Sequence, residues 1–257
     1  MDYPYIIWTF RRTGGTTLAT ILSHASSHGQ APHEPFNPDR IYGNISKEWN
    51  ETGDVKKLYS SISEVVERRE VIKHCFEIVP MQLNTVLLQE TIRLGYRHII
   101  LKRRMEVDRL YSLEVASRTG AWGPETAKKK YQALENLGTP SIRLNLRASL
   151  THMAECYLRA RWITTEMKRR RAEHAHVDFE DLYPEPEYEP EKICDLLKFV
   201  GHSEQKIADL LPFIKQKVST GNQETHSVDK FIENAAEWRR TVRANWRLIS
   251  GQGPISN

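Results

Sequence analysis

The chain has 257 residues, of which 39% are apolar, 27% charged and 9% aromatic, with 13 glycines and 12 prolines. That is enough apolar mass to bury a core, and it excludes a disordered, collagen-like or low-complexity chain. The 37 Lys and Arg exceed the 33 Asp and Glu by four, too small and mixed a surplus to demand nucleic acid, though it suits a basic pocket for a compact anion. No run approaches the roughly 20 apolar residues that span a bilayer. Met1-Asp2-Tyr3-Pro4 leads straight into a strand-like run, so neither a membrane span nor a signal peptide is expected. Cys75, Cys156 and Cys194 are widely spaced and lack any CxxC pattern. We therefore expect no disulfide framework and no structural zinc, and a reducing cytoplasm as the location.

In chain order, Tyr5 to Phe10 is rich in β-branched and aromatic residues and predicts a buried strand. It ends in Arg11-Arg12-Thr13-Gly14-Gly15-Thr16-Thr17, after which Leu18, Ile21, Leu22 and Ala25 recur at helical spacing. Strand, glycine turn and helix open a βα unit. Ser26 to about Gly53 shows no sustained periodicity and is expected to be loop. Val71 to Phe76 predicts a second strand, and Leu83, Val86, Leu87 and Leu94 one face of a helix stopping near Gly95. His98 to Leu101 predicts a third strand, followed by a helix carrying Val107, Leu110, Tyr111 and Val115. The longest helix is expected from about Leu144 to His174, with Lys168 to Arg171 as a solvated basic end. Ala175 to Phe179 predicts a fourth strand. Pro184 to Pro190 reads as an acidic connector, and the remainder as helical, including Phe231 to Trp246. Alternating strands and helices predict an α/β fold with a central parallel sheet covered on both faces. We expect one domain over 1–257, with an α/β core at 1–183 and a helical C-terminal extension at 184–257.

Ligands of open parallel sheets bind outside the carboxyl ends of the strands, and the turn from Arg12 to Thr17 sits at such an end. Gly14 and Gly15 let backbone N–H groups turn inward, Thr16 and Thr17 offer hydroxyls, and the following helix presents its positive N-terminus. Arg12 adds a fork of donors suited to a tetrahedral oxyanion. An ordinary βα turn with a threonine cap is the alternative. The nucleoside-triphosphatase loop needs Gly-Lys followed by Ser or Thr, and no such triplet occurs in the chain.

Arg12-Thr13-Gly14-Gly15-Thr16-Thr17-Leu18 after the first strand resembles the 5′-phosphosulfate loop of sulfotransferases that use 3′-phosphoadenosine-5′-phosphosulfate (PAPS). In that family an arginine after the third strand and a serine eight residues later grip the 3′-phosphate, and Arg104 and Ser112 have that spacing. Arg103 is the alternative to Arg104. An arginine at a strand end and a hydroxyl two helical turns on can bracket one phosphate; a surface cluster pairing Arg104 with Asp108 is the competing reading. Val115 to Trp122, His33-Glu34-Pro35-Phe36-Asn37-Pro38 and Asp178-Phe179-Glu180-Asp181-Leu182 resemble segments of bacterial carbohydrate-type members. The resemblance covers about 5–183 and departs from the common single glycine and serine in the first loop. It implies a P-loop-like three-layer fold, PAPS as donor and no required metal.

Sulfuryl transfer also needs a base on the acceptor side. Two candidates stand. Glu34 lies where carbohydrate- and tyrosine-type relatives place a carboxylate, and His74 where small-molecule members keep a histidine; His33 and Lys73 rank after them. The Glu-Pro-Phe-Asn context favours Glu34, while a solvated loop carboxylate and a hydrogen-bonded strand-end histidine are the bland alternatives. Trp49 and Trp122 are candidates for stacking on an acceptor, with packing as the other role. Asp178, Glu180 and Asp181 lack a His or Cys partner at metal-ligand spacing and read as structural. The implied function is transfer of a sulfuryl group from PAPS to a hydroxyl of a carbohydrate, glycolipid or small metabolite. The rivals are a P-loop kinase with a degenerate loop and a non-catalytic nucleotide-binding protein.

Overall fold

A computed structural model describes residues 2–31, 33–137, 142–183, 190–219 and 229–251. Its chain packs as two compact units, 1–104 with 162–220, and 105–161 with 221–257. The segment after 184, expected as one helical extension, is thus shared between them, and 184–189 of the acidic connector lie outside the described residues.

The first unit is α/β. Four strands, β1 (Tyr5–Thr9), β2 (Ile72–Cys75), β3 (Arg97–Lys102) and β4 (His174–Asp178), form one parallel sheet in the order β2-β1-β3-β4. Every residue of β1 is buried, as a central parallel strand covered on both faces requires. Alternation along the strands divides the sheet. Tyr5, Ile7, Ile99, Leu101 and Val177 join a core with Leu18, Ile21 and Leu22 of α1 (Gly15–Ala25), Leu196 and Leu197 of α9 (Glu191–Phe199), and Ile207 and Ile214 of α10 (Glu204–Ser219). On the opposite face Trp8 stands edge-on to His74 and donates its indole N–H to His98 Nδ1 at 3.1 Å.

The stretch expected as loop from Ser26 to Gly53 contains a helix, α2 (Gly43–Thr52), followed by α3 (Val55–Val66). Only Gly43, Ile45 and Ser46 of α2 are buried, too few to print a helical period. α3 packs on α4 (Met81–Arg93), which ends before Gly95 at φ +73°. The C-terminal part of α7 (Leu146–Arg169) buries Ile163 and Met167 in this unit. Its basic end is tied by Arg169 and Arg170 to Glu166. α8 (Phe179–Leu182) is a single turn following β4.

The second unit is helical: α5 (Glu106–Thr119), α6 (Pro124–Leu137), the N-terminal part of α7 and α11 (Ala235–Ser250). Val107, Leu110, Tyr111 and Val115 of α5, Met153 of α7, and Trp238 and Val242 of α11 share its core. Three of its buried polar groups have well-placed partners. Arg109, fully buried, forks onto Glu106 at 2.7 and 2.6 Å. Trp238 donates to Ser149 Oγ at 3.1 Å, and Tyr111 to Asp229 at 2.8 Å.

Candidate functional site

The turn between β1 and α1 is held in an uncommon backbone conformation. Arg12 has φ +66° and Gly14 φ +72°, and for a non-glycine residue such a φ is costly and concentrates at functional positions. The Thr13 hydroxyl folds back onto the Phe10 carbonyl. The two glycines serve different neighbours. A Cβ at Gly14 would stand 2.6 Å from the Tyr183 ring and 2.8 Å from Phe179, and the Tyr183 hydroxyl donates to the Gly14 carbonyl at 2.8 Å. A Cβ at Gly15 would meet the Lys73 stem and the Thr9 methyl at 3.0 Å. Gly14 thus caps α1 beneath two aromatic rings, and Gly15 lets a lysine pass under the helix start. No acidic residue stands in the first turn of α1, so no carboxylate of the helix itself offsets its positive dipole end.

Lys73 reaches this start from β2. Alternation sends Lys73 and Cys75 to the α1 face and His74 to the other. The Lys73 ammonium donates to Glu34 Oε1 at 2.6 Å and Thr16 Oγ1 at 3.2 Å, with His33 Nε2 at 3.3 Å. Cys75 Sγ donates to the same Glu34 oxygen at 3.1 Å, and Asn37 Nδ2 to the other at 2.6 Å. Glu34 itself has φ +51°. Burial pushes its carboxyl up, but Lys73, the hydrogen bonds and His33 outweigh that and hold it at about 2. Burial, then the Lys73 charge, lower the His33 imidazole below its ordinary value. Burial raises the Cys75 thiol.

The structure therefore brings Gly15, Thr16 and Glu34 into one assembly around Lys73, with Gly14 next to it beneath the Tyr183 and Phe179 rings. Arg12 and Thr13 shape the same turn, and Thr17 follows in the first turn of α1. His74 is not part of it. Its ring is fully buried, edge-on to Trp8 and Phe36, with Nε2 2.7 Å from Asn84 Oδ1, so it is packed in the core on the face of the sheet away from the turn. Lys73, ranked behind it, occupies the central place. Alternation sets Val71, Lys73 and Cys75 against Ile72, His74 and Phe76, and only the pairing of β2 with β1 decides which set faces α1. Arg11 is committed to Glu77 through its backbone N–H at 2.8 Å and its Nε at 3.1 Å.

At the β3 end the two arginines part. Arg103 lies over the Phe179 ring at 4.5 Å and donates to the Arg12 carbonyl at 3.3 Å, so it faces the turn. Arg104 forks onto Asp181 at 2.8 Å through both terminal nitrogens, adds Asp178 at 3.2 Å, and its backbone N–H donates to Glu180 at 3.0 Å. Asp178, Glu180 and Asp181 are thus the socket of an arginine pair, and Asp108 has Arg239 at 3.8 Å. Ser112 lies buried on α5 in the second unit. Trp122 is 47% exposed, and Trp49 is half-buried beside Glu48 and Lys57.

Among the described residues no group of three His, Cys, Asp or Glu is placed to hold a metal ion, and no helix is long and apolar enough to cross a membrane. No protein-family model matches the chain, and no curated protein matches it.

Proposed function

We propose that this chain is a sulfotransferase that binds PAPS at the β1–α1 turn and passes its sulfuryl group to a hydroxyl of a carbohydrate, glycolipid or small metabolite. The observation that carries the reading is Lys73. One ammonium touches both the helix start, through Thr16, and a buried carboxylate, Glu34. An anion seat and a proton-handling group are thereby joined by a single cation, which is what in-line transfer between an anionic donor and a hydroxyl needs. On this reading the sheet and its helices form a P-loop-like three-layer fold. The α1 N–H groups, Arg12, Thr16 and Lys73 take up charge developing on the departing 5′-phosphate.

The 3′-phosphate belongs to the β3 end. Arg104 with Ser112 carries that role by the family spacing, which requires Arg104 to exchange Asp181 for phosphate. Arg103 already faces the turn and is the alternative. Glu34 and its neighbours hold the acceptor side.

Calorimetry with 3′-phosphoadenosine-5′-phosphate beside Mg-ATP tests the reading. Tight binding of the bisphosphate and weak binding of Mg-ATP are expected. A preference for Mg-ATP sinks the sulfotransferase reading in favour of a kinase.

A further inference from the structure

Lys73 has three N–H donors and three neighbours to receive them: Glu34 Oε1, Thr16 Oγ1 and His33 Nε2. The ammonium is saturated, so an anion settling on the turn must replace one of these partners. Glu34 is the least replaceable. It is charged, at 2.6 Å, and its other oxygen is fixed by Asn37. Thr16 and His33 are the neutral partners, at 3.2 and 3.3 Å. Thr16 belongs to the turn on which the anion settles and stays beside Lys73, so His33, with its side chain 42% exposed, is the partner given up. Its Nε2 lies 3.4 Å from Glu34 Oε1.

We propose that His33 is the proton acceptor of the transfer step and that Lys73 caps its Nε2 until an anion occupies the β1–α1 turn. This rests on the donor reading given above. When the anion draws Lys73 away, the Nε2 lone pair is released beside the Glu34 carboxylate. The acceptor oxygen then bonds sulfur, its proton passes to Nε2, and the sulfur–oxygen bond to the nucleotide 5′-phosphate breaks with its electron pair leaving on the phosphate. The imidazolium so formed is held by Glu34. Glu34 acts through His33 and is a positioning residue; a carboxylate already bound to an ammonium and a thiol is a weak base. The groups facing His33 are Glu34 and Arg40 from its own segment and Lys73 from β2, with Cys75 reaching it through Glu34. Drawing Lys73 to the anion weakens a cation that disfavours the charged imidazole, so anion binding makes Nε2 more basic and raises the share of chains that carry a proton there, the unprotonated remainder being the competent base.

The test is calorimetry of the full chain with 3′-phosphoadenosine-5′-phosphate at pH 7 in buffers of different ionisation enthalpy. The slope of heat against buffer enthalpy counts protons taken up. The nucleotide's own phosphates contribute equally in every variant, so the readout is the difference between proteins. Wild type is expected to take up more protons than His33→Asn, whose amide still accepts from Lys73 and whose half-exposed position preserves the fold. Glu34→Gln is expected to keep a reduced His33-dependent uptake. Equal uptake in wild type and His33→Asn overturns the inference and leaves the donor reading standing. So does uptake lost in Glu34→Gln but kept in His33→Asn, which makes Glu34 the acceptor. Absence of nucleotide binding overturns the donor reading, and the inference is then judged on inorganic pyrophosphate: no binding, or no His33-dependent uptake, ends it.

Discussion

Two strand ends in the same sheet each hold cations, and they are built on opposite plans. At the β1–β2 end one buried ammonium faces one carboxylate and shares its remaining donors with a hydroxyl and an imidazole. At the β3–β4 end two arginines meet three carboxylates, and the Arg104 fork is half exposed. A cation outnumbered by acids is spent on holding the chain together. A cation with neutral partners still has attraction to give an incoming anion. On the proposed reading the reactive end of the site lies at Lys73, and the other corner is a clasp that opens before it binds phosphate.

The most severe way to break the first arrangement is Lys73→Met. It strands Glu34 among groups that cannot neutralise it, a loss of about 3–5 kcal/mol for a buried pair. Urea unfolding checks it, and a loss under about 1 kcal/mol shows that water already screens the pair. Lys73→Met with Glu34→Leu is expected to recover stability but not nucleotide binding. Gly14→Ala comes next. It puts a methyl into the Tyr183 and Phe179 rings at φ +72° and should cost about 1–3 kcal/mol together with nucleotide affinity. Gly53→Ala, at φ +63° with nothing within 4 Å, should cost only about 1 kcal/mol and leave affinity alone.

Acid separates the two faces of the sheet. His98 is held by burial, with His174 adding to it, down to about 3. The unfolded chain therefore takes up its proton first, and stability should fall as pH drops from 6.5 toward 3, by at most about 1.4 kcal/mol per unit from this group. Glu34 has the opposite chemistry and the same direction. Its contribution is complete above pH 4.5 and disappears as pH falls through about 2. Unfolding followed from pH 7 to 2 should show a shallower upper limb in a His98→Asn variant, where His176 still contributes, and a shallower lower limb in Glu34→Gln, where Glu166 still contributes. The smallest effect belongs to Asp181→Asn. Melting should barely move, because the pair is solvated, while nucleotide affinity should rise severalfold if Arg104 receives the 3′-phosphate. Unchanged affinity hands that role to Arg103.

Much of the frame was legible before any coordinates. Tyr5 to Thr9 is apolar enough to be nothing but a central strand, and Leu18, Ile21, Leu22 and Ala25 print the buried stripe of α1. The turn was recognisable because Arg12, two glycines and two threonines coincide at a strand end. What escaped depends on pairing between distant segments. Whether position 73 or 74 faces the turn is settled by the register Ile7 to Lys73 and Trp8 to His74, and a slip of one residue would reverse it. Glu34 meets Lys73 across 39 residues, a meeting no local spacing announces. α2 was hidden because most of its surface faces water.

The roof over Gly14 has a consequence for how the chain is made. Tyr183 and Phe179 arrive on the ribosome some 170 residues after the turn they cover, and distant partners are slow to find one another. A nascent chain that has emerged only as far as α7 carries the whole glycine motif yet lacks the rings that shape it. Any truncated fragment that ends before 179 should contain the recognisable letters of the motif without the proposed anion binding, which should appear late, with the last strand.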